Sequence, residues 1–550
     1  MKINVSTARL DLPMLVGLIA ILMTACSKES AGPAAAGAEA PAGPSRTAAE
    51  TATACARLAT DKRKDVTIDE AVSLPFTEHQ GPAPGQPVRV DVPNCKVTGM
   101  IDGSIKFELL LPDPWNGKFL MGGGGGFVGS VQNQALDGMS AGKNPLERGY
   151  ATAGTDTGHT GEVIDASWAL NNDQAKENFA HRAVHRTAEV SKEIIKDYYG
   201  DGADRSYFLG CSRGGGQGMI SAQRYPDDFD GIVAGAPVLD WVGTTAGFIR
   251  NEQAVFPNPD DLTSPVITAD NRKLLADGLG KACDYLDGVK DGLISDPRRC
   301  KFDPTTLPLC TSDAAADCLT EPQLAAIQAV YRGPVAGGQQ IHPGFPFGGE
   351  SDAQGWDLWI TQMEPPTLPP GVPNLHYAFG TQFAKYFVYN DPNWNYASFD
   401  LADWHTRAVP AGQLLNAINP DLSKFRDGGG KLILWHGWSD SALTALSSVQ
   451  YYESVQRQDK AVAGYFRMYL MPGVGHCSGG PGPDRADWIT AIERWVENDS
   501  APEAIQATKT DPQGEVLLER PVCPHPESAA YDDSGDTKLA SSFRCGLTGG

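Results

Sequence analysis

The sequence predicts an α/β fold: a largely parallel sheet with helical crossovers, built from two stretches of chain that a large insertion separates. Three observations predict it. Apolar strand patterns alternate with a long helical pattern from about residue 87 to 240, the alternation breaks off for some 180 residues, and it resumes near Lys431. Strand, helix, strand alternation implies parallel pairing, because a crossover of helical length carries the chain back to start the next strand in the same direction.

The first stretch is strand-rich. Val88-Arg89-Val90, the alternating run Ile105 to Leu111, and Lys118-Phe119-Leu120-Met121 lead into five glycines, Gly122 to Gly126. Tyr150 to Gly154 is a further strand and ends in Thr155-Asp156-Thr157-Gly158-His159. A helix is expected from about Asn178 to Tyr199, with Val184, Ala188, Ile194 and Ile195 near one face. After Asp240 the texture turns rich in aromatics, proline and cysteine until about Ala417. The rhythm returns with a strand at Lys431-Leu432-Ile433-Leu434-Trp435, a helix near Ala442 to Arg457, and a strand at Phe466 to Met471. The expected organisation is therefore one core made of 51–240 and 418–550, with 241–417 inserted as a lid.

The N-terminal residues read as an export signal. Lys2 and Arg9 precede an apolar run from Leu12 to Met23, too short for a membrane span, and Met23-Thr24-Ala25-Cys26 has the form of a lipoprotein cleavage box. Either Cys26 becomes a lipidated first residue and anchors the chain to a membrane, or the signal (1–26) is cut nearby and Cys26 is incidental. Residues 27 to about 50, rich in Ala, Gly, Pro, Ser and Glu, read as a flexible tether. Of eleven cysteines, ten remain after Cys26, an even number that suits disulfides in an oxidising compartment, and no Cys-x-x-Cys or Cys/His spacing favours zinc. The expected location is periplasmic, outer-membrane-anchored or secreted. A net charge of −22 excludes nucleic acid as a partner class, since phosphate binding needs clustered Lys and Arg.

Chemistry concentrates at Ser206-Tyr207-Phe208-Leu209-Gly210-Cys211-Ser212-Arg213-Gly214-Gly215-Gly216, an apolar strand, a sharp turn and a helix start. Gly210-x-Ser212-x-Gly214 is a nucleophile-elbow pattern: the glycines let two backbones approach, and the serine oxygen is left exposed at a strand end. A helix N-terminus there also favours developing negative charge. In an α/β-hydrolase core the acid and the histidine follow the serine in that order. Asp440, in His436-Gly437-Trp438-Ser439-Asp440 after the strand ending at Trp435, is the expected acid, with a helix N-cap as its structural alternative. His476, in Pro472-Gly473-Val474-Gly475-His476-Cys477, is the expected base. His436 is expected to pack or to line the site, and His525 lies in a proline-rich, cysteine-flanked tail.

Gly210-Cys211-Ser212, Asp440 and His476-Cys477 together resemble the Cys-Ser, Asp, His-Cys pattern of the tannase and feruloyl esterase family, over about Cys55 to Cys545. The resemblance implies an α/β-hydrolase core with a large lid, and a disulfide joining the two cysteines that flank nucleophile and base, Cys211-Cys477. It also implies Cys55-Cys95, Cys283-Cys300, Cys310-Cys318 and Cys523-Cys545. Backbone amides form an oxyanion hole in this fold; Arg213 supplies one, and the glycine-rich loop, best matched by Gly126, supplies the other.

Cys283 to Asp296 carries recurrent carboxylates and two Asp-Gly turns. Hard calcium ions take such oxygens, although the spacing is not that of an EF-hand, and solvated turns are the structural alternative. The family resemblance implies a structural Ca²⁺ held by the carboxylates of Asp284, Asp287 and Asp291 and the carbonyls of Val289 and Leu293. The lid carries ten aromatics from Trp359 to Phe399 between Trp356 and Trp404, a few of which would form an apolar slot for a small aromatic ester. The expected activity is hydrolysis of hydroxycinnamate or gallate esters. Two alternatives stand beside it: hydrolysis of a mono(2-hydroxyethyl) terephthalate-type ester, which is short of a lid cation because Trp356 to Tyr389 holds no arginine and only Lys385, and an inactive calcium-binding surface lipoprotein.

Overall fold

The computed structural model describes residues 46–80, 87–311 and 315–547. The expected signal peptide, Cys26 and most of the expected tether lie outside them. The tether is shorter than its composition indicates. A helix, Ala48–Leu58, starts inside its expected range because Thr47 and Glu50 form a reciprocal capping box that satisfies the first amides.

Nine strands build the main sheet: β1 (Val66–Leu74), β2 (Asn94–Ile101), β3 (Ile105–Pro112), β4 (Lys118–Gly122), β5 (Ala151–Thr155), β6 (Arg205–Cys211), β7 (Gly231–Gly235), β8 (Lys431–Gly437) and β9 (Phe466–Met471). Their order is β1-β2-β3-β5-β4-β6-β7-β8-β9. The first three pair antiparallel, and β3 meets β5 antiparallel. From β5 to β9 every pairing is parallel. Residue choice follows this difference. All of β5 and β7 and nearly all of β6 and β8 are buried, as strands covered on both faces by helices require, whereas β2 alternates buried and half-buried positions.

Helical segments cover the parallel half. The expected helix at 178–199 is longer and interrupted: it begins at Asp173, widens into a π-turn at Asn178–Arg182, and continues as α1 (Ala183–Tyr199). Helix α2 (Arg213–Arg224) follows β6 directly. The outer edge at β9 is partly covered by the tail, where Tyr469 bridges Pro524 and the His525 amide donates to the Met468 carbonyl at 2.7 Å.

Between α3 (Trp241–Val255) and Leu415 lie helices Ala269–Cys283, Glu321–Arg332 and Leu375–Phe383. Their apolar faces share one buried cluster with Phe127, Val128 and Phe179 from the first core segment. Phe383, Phe387, Trp394, Tyr396 and Phe399 are buried in this cluster and Tyr377, Tyr386 and Tyr389 pack against it, so most of the ten aromatics are packing residues. All ten expected cysteines form the five implied disulfides.

Candidate active site

Four loops at the carboxyl ends of parallel strands converge, the usual location of ligand sites in open α/β sheets. β6 delivers Ser212, β4 the glycine loop, β8 Asp440 and β9 His476. Ser212 holds φ 63°, ψ −121°, a conformation that disfavours any residue with a Cβ. The turn is kept by backbone proximity: a Cβ on Gly210 would stand 2.6 Å from the Gly214 carbonyl carbon, while the Ser212 amide donates to Gly235 in β7 at 3.0 Å.

Ser212 and His476 line one cleft of about 440 Å³ with Gly126, Arg213, Val238, Trp241, Phe248, Trp359, Phe379 and Leu443. Its walls are mostly apolar. Nδ1 of His476 lies 2.8 Å from Oδ2 of Asp440, which fixes the tautomer that leaves Nε2 free to take a proton. The Trp359 ring meets the His476 ring edge-on at 5.1 Å. Asp440 is not a helix N-cap, since the next helix begins at Ala445 and is capped by Thr444; its Oδ1 instead accepts the amides of Ala442 and Leu443 in the loop before it, at 2.8 and 2.9 Å. One oxygen holds the loop and the other holds the histidine. Burial alone would raise this carboxyl, but the charge of His476 and hydrogen bonds from His436 and His476 hold it well below the usual carboxylate range.

His436, expected to pack or to line the site, is fully buried beside Asp440. Its Nε2 stands 3.2 Å from Asp440 Oδ2 and 2.8 Å from the Leu443 carbonyl, and Nδ1 stands 2.8 Å from the Ser448 hydroxyl. His525 lies in the tail and is not a lining residue of the cleft.

The glycine loop is held rather than loose. The Gly124 amide donates to Gln217 Oε1 at 3.0 Å and the Gly125 amide to Gln132 Oε1 at 2.7 Å. The Gly126 amide meets no acceptor among the described residues. Only glycine fits there: φ is +55° and a Cβ would stand 2.6 Å from the Val163 carbonyl oxygen. Arg213, the first residue of α2, presents an amide with no intrahelical partner. Two free amides beside a half-buried serine that lines the cleft can hold a developing oxyanion. Gln132 and Gln217 carried no motif signal; their side chains become legible only once the loop is folded against them. Cys211 and Cys477 are disulfide-bonded with Cα atoms 5.9 Å apart.

The acidic loop offers only oxygen donors, which suits a hard cation. Asp287 is buried, and burial together with the neighbouring Asp291 charge raises its carboxyl above the ordinary value, a repulsion that a cation would relieve. As arranged here, the carboxylates brace the loop itself. Asp284 Oδ1 accepts the Asp291 and Gly292 amides, Asp287 accepts the Val289 amide and the Ser295 hydroxyl, and Asp291 pairs with Arg520 at 2.5 Å. Among the described residues no three His, Cys, Asp or Glu side chains gather as a metal cluster.

The family pattern described as "Tannase and feruloyl esterase" matches residues 89–546. Mono(2-hydroxyethyl) terephthalate hydrolase of Piscinibacter sakaiensis is 32% identical over 522 residues, covering 82% of this chain and 84% of that protein. A probable feruloyl esterase of Arthroderma benhamiae is 33% identical, covering 84% and 87%. The crystal structure of feruloyl esterase B from Aspergillus oryzae superposes with a TM-score of 0.79 at 26% identity, over 90% of this chain and all of that one. With a parallel-sheet core, an elbow serine that lines the cleft and this likeness over most of its length, the chain is a carboxylic ester hydrolase that belongs to the tannase and feruloyl esterase family.

Proposed function

We propose that the chain is an exported serine esterase that cleaves esters of hydroxycinnamic or gallic acids. The observation that carries this reading is the placement of Ser212 and His476 in one apolar cleft walled by Trp241, Trp359 and Phe379, a surface suited to a flat aromatic acyl group. Ser212 is the nucleophile, His476 the base and then the acid, and Asp440 the group that orients it and stabilises the imidazolium. The amides of Gly126 and Arg213 form the oxyanion hole. Five disulfides support an oxidising compartment. Among the described residues no helix is long and apolar enough to cross a membrane.

A terephthalate monoester is the second reading, favoured by the 32% identical relative. Its free carboxylate needs a cation, and leaving a buried charge without a partner is costly. No arginine lies between Trp356 and Tyr389, Lys385 is not a lining residue of the cleft, and the guanidinium of Arg213, which does line it, is turned to the Phe179 and Ala180 carbonyls. Methyl ferulate or methyl gallate is therefore expected to give at least a tenfold higher kcat/KM than the monoester, equivalent to about 1.4 kcal/mol of discrimination. A steady-state panel of the three substrates with a nitrophenyl ester decides this, and a preference for the monoester would overturn the aromatic-acid assignment.

Calcium belongs to the same proposal as a structural ion on Asp284, Asp287, Val289, Asp291 and Leu293, with no part in the chemistry. An ion that binds only the folded chain adds about 2.7 kcal/mol when free calcium is a hundredfold above its Kd. Chelation is expected to lower the melting temperature, and Asp287→Ala to melt like the chelated parent with or without calcium. Identical melting curves for the parent with chelator and with excess calcium would remove the ion.

A further inference from the structure

The residue that follows the nucleophile carries a charge that no acidic side chain among the described residues neutralises. Arg213 is 1% exposed. Its Nη2 donates to the Phe179 and Ala180 carbonyls, the second at 2.9 Å, and these carbonyls belong to the π-turn Asn178–Arg182, where the widened helical ladder leaves acceptors available. The guanidinium carbon stands 4.4 Å from the Phe179 ring centroid and 5.7 Å from that of Trp241. Nε is buried without any acceptor. No carboxylate pairs with Arg213 among the described residues; Arg272, almost as deeply buried, meets Asp357 at 2.6 Å. Burial pushes the Arg213 guanidinium down to about 9, which leaves it charged at neutral pH.

A buried cation without a counter-charge destabilises a fold, and two carbonyls and two ring faces offset only part of that cost. The position of this one matters. Arg213 lines the cleft with Ser212, Gly126 and His476, its own amide is one of the two free donors, and it begins α2, whose N-terminal end adds positive potential at the same place. Negative charge arises there during acyl transfer.

We propose that the Arg213 guanidinium is an electrostatic positioning residue for ester hydrolysis, its uncompensated charge serving the oxyanion that the Gly126 and Arg213 amides hold. This rests on Ser212 being the nucleophile. Ser212 Oγ bonds to the ester carbon, the carbonyl π pair moves onto oxygen, and the serine proton passes to His476 Nε2. As the carbonyl re-forms, the bond to the alcohol oxygen breaks and that oxygen takes the proton from His476. A water molecule then repeats the sequence and frees the acid. Arg213 gains and loses no proton in any step; its field is fixed in advance of the charge it stabilises.

The test uses the full exported chain, an uncharged substrate such as methyl ferulate, and Arg213→Met beside Arg213→Lys, neither of which touches the backbone amide. Arg213→Met is expected to lower kcat by about ten- to a hundredfold with KM within about threefold of the parent, the pattern of an interaction made in the transition state. It should melt no lower than the parent, because an unpaired buried charge has gone, and Arg213→Lys should recover most of the lost kcat. Parental kcat in Arg213→Met would overturn the proposal. So would loss of both kcat and melting temperature in both variants, which would make the arginine a packing residue of the elbow. Fluorophosphonate labelling separates the two levels: an unlabelled parent sinks the Ser212 assignment, whereas a labelled parent with fully active Arg213→Met sinks this proposal alone.

Discussion

Ser212→Ala is expected to lower turnover by roughly 10⁶, the loss seen when a serine triad is deprived of its nucleophile. The fold should persist. The substitution removes one oxygen at the wall of an open cleft, and the alanine keeps the Cβ that already tolerates φ 63°. The amides of Gly126 and Arg213 remain in place, so slow residual hydrolysis above the water rate is also expected. Burst kinetics with a nitrophenyl ester would show the parent releasing one equivalent of alcohol per active site before steady state and the variant releasing none. If the variant kept more than a tenth of parental turnover, Ser212 could not be the nucleophile.

Cys211→Ala combined with Cys477→Ala is expected to fold, to lose stability, and to lose about 10² in kcat. The two cysteines are 266 positions apart, and each is the chain neighbour of a residue assigned to the chemistry. Loop-closure entropy for so long a separation indicates about 5 kcal/mol of stabilisation, an upper figure because the unfolded chain retains some structure. The kinetic effect has a different origin. β6 and β9 are not neighbours in the sheet, since β7 and β8 lie between them, so the disulfide is a direct covalent tie between the elbow and the histidine loop. A misplacement of about 1 Å between reacting groups costs on the order of 10² in rate. Parental kcat in the double variant, with only the melting temperature reduced, would make the bond a passive staple. Titration of free thiols in the unfolded parent checks the premise, and two reactive thiols assigned to these positions would remove it.

Much of the site was legible before folding because its signals are local. The elbow needs glycine at 210 and 214 for backbone clearance, so the pattern around Ser212 survives in one dimension. Asp440 and His476 were found because each follows an apolar strand run by only a few residues, and chain order in this fold is constrained. The residues missed act across the fold. Gln132 and Gln217 reach the glycine loop from two different segments, and Trp241, Val238 and Phe248 enter the cleft from the stretch that follows β7. Of the lid aromatics that the sequence offered for substrate contact, Trp359 and Phe379 line the cleft, and the others lie in or against the buried cluster without reaching the cleft.

By itself the sequence determined the α/β class, the two-piece core, the serine elbow and the candidate acid and base, since periodicity and tight-turn chemistry depend on near neighbours. Only the tertiary structure decided which amides stand free beside Ser212, that Asp440 divides its two oxygens between a loop and a histidine, and that Arg213 is buried without a carboxylate. It also turned Asp291 toward Arg520, a residue 229 positions away. Each of these depends on which distant groups share a low-dielectric space, and that is set by packing rather than by spacing along the chain.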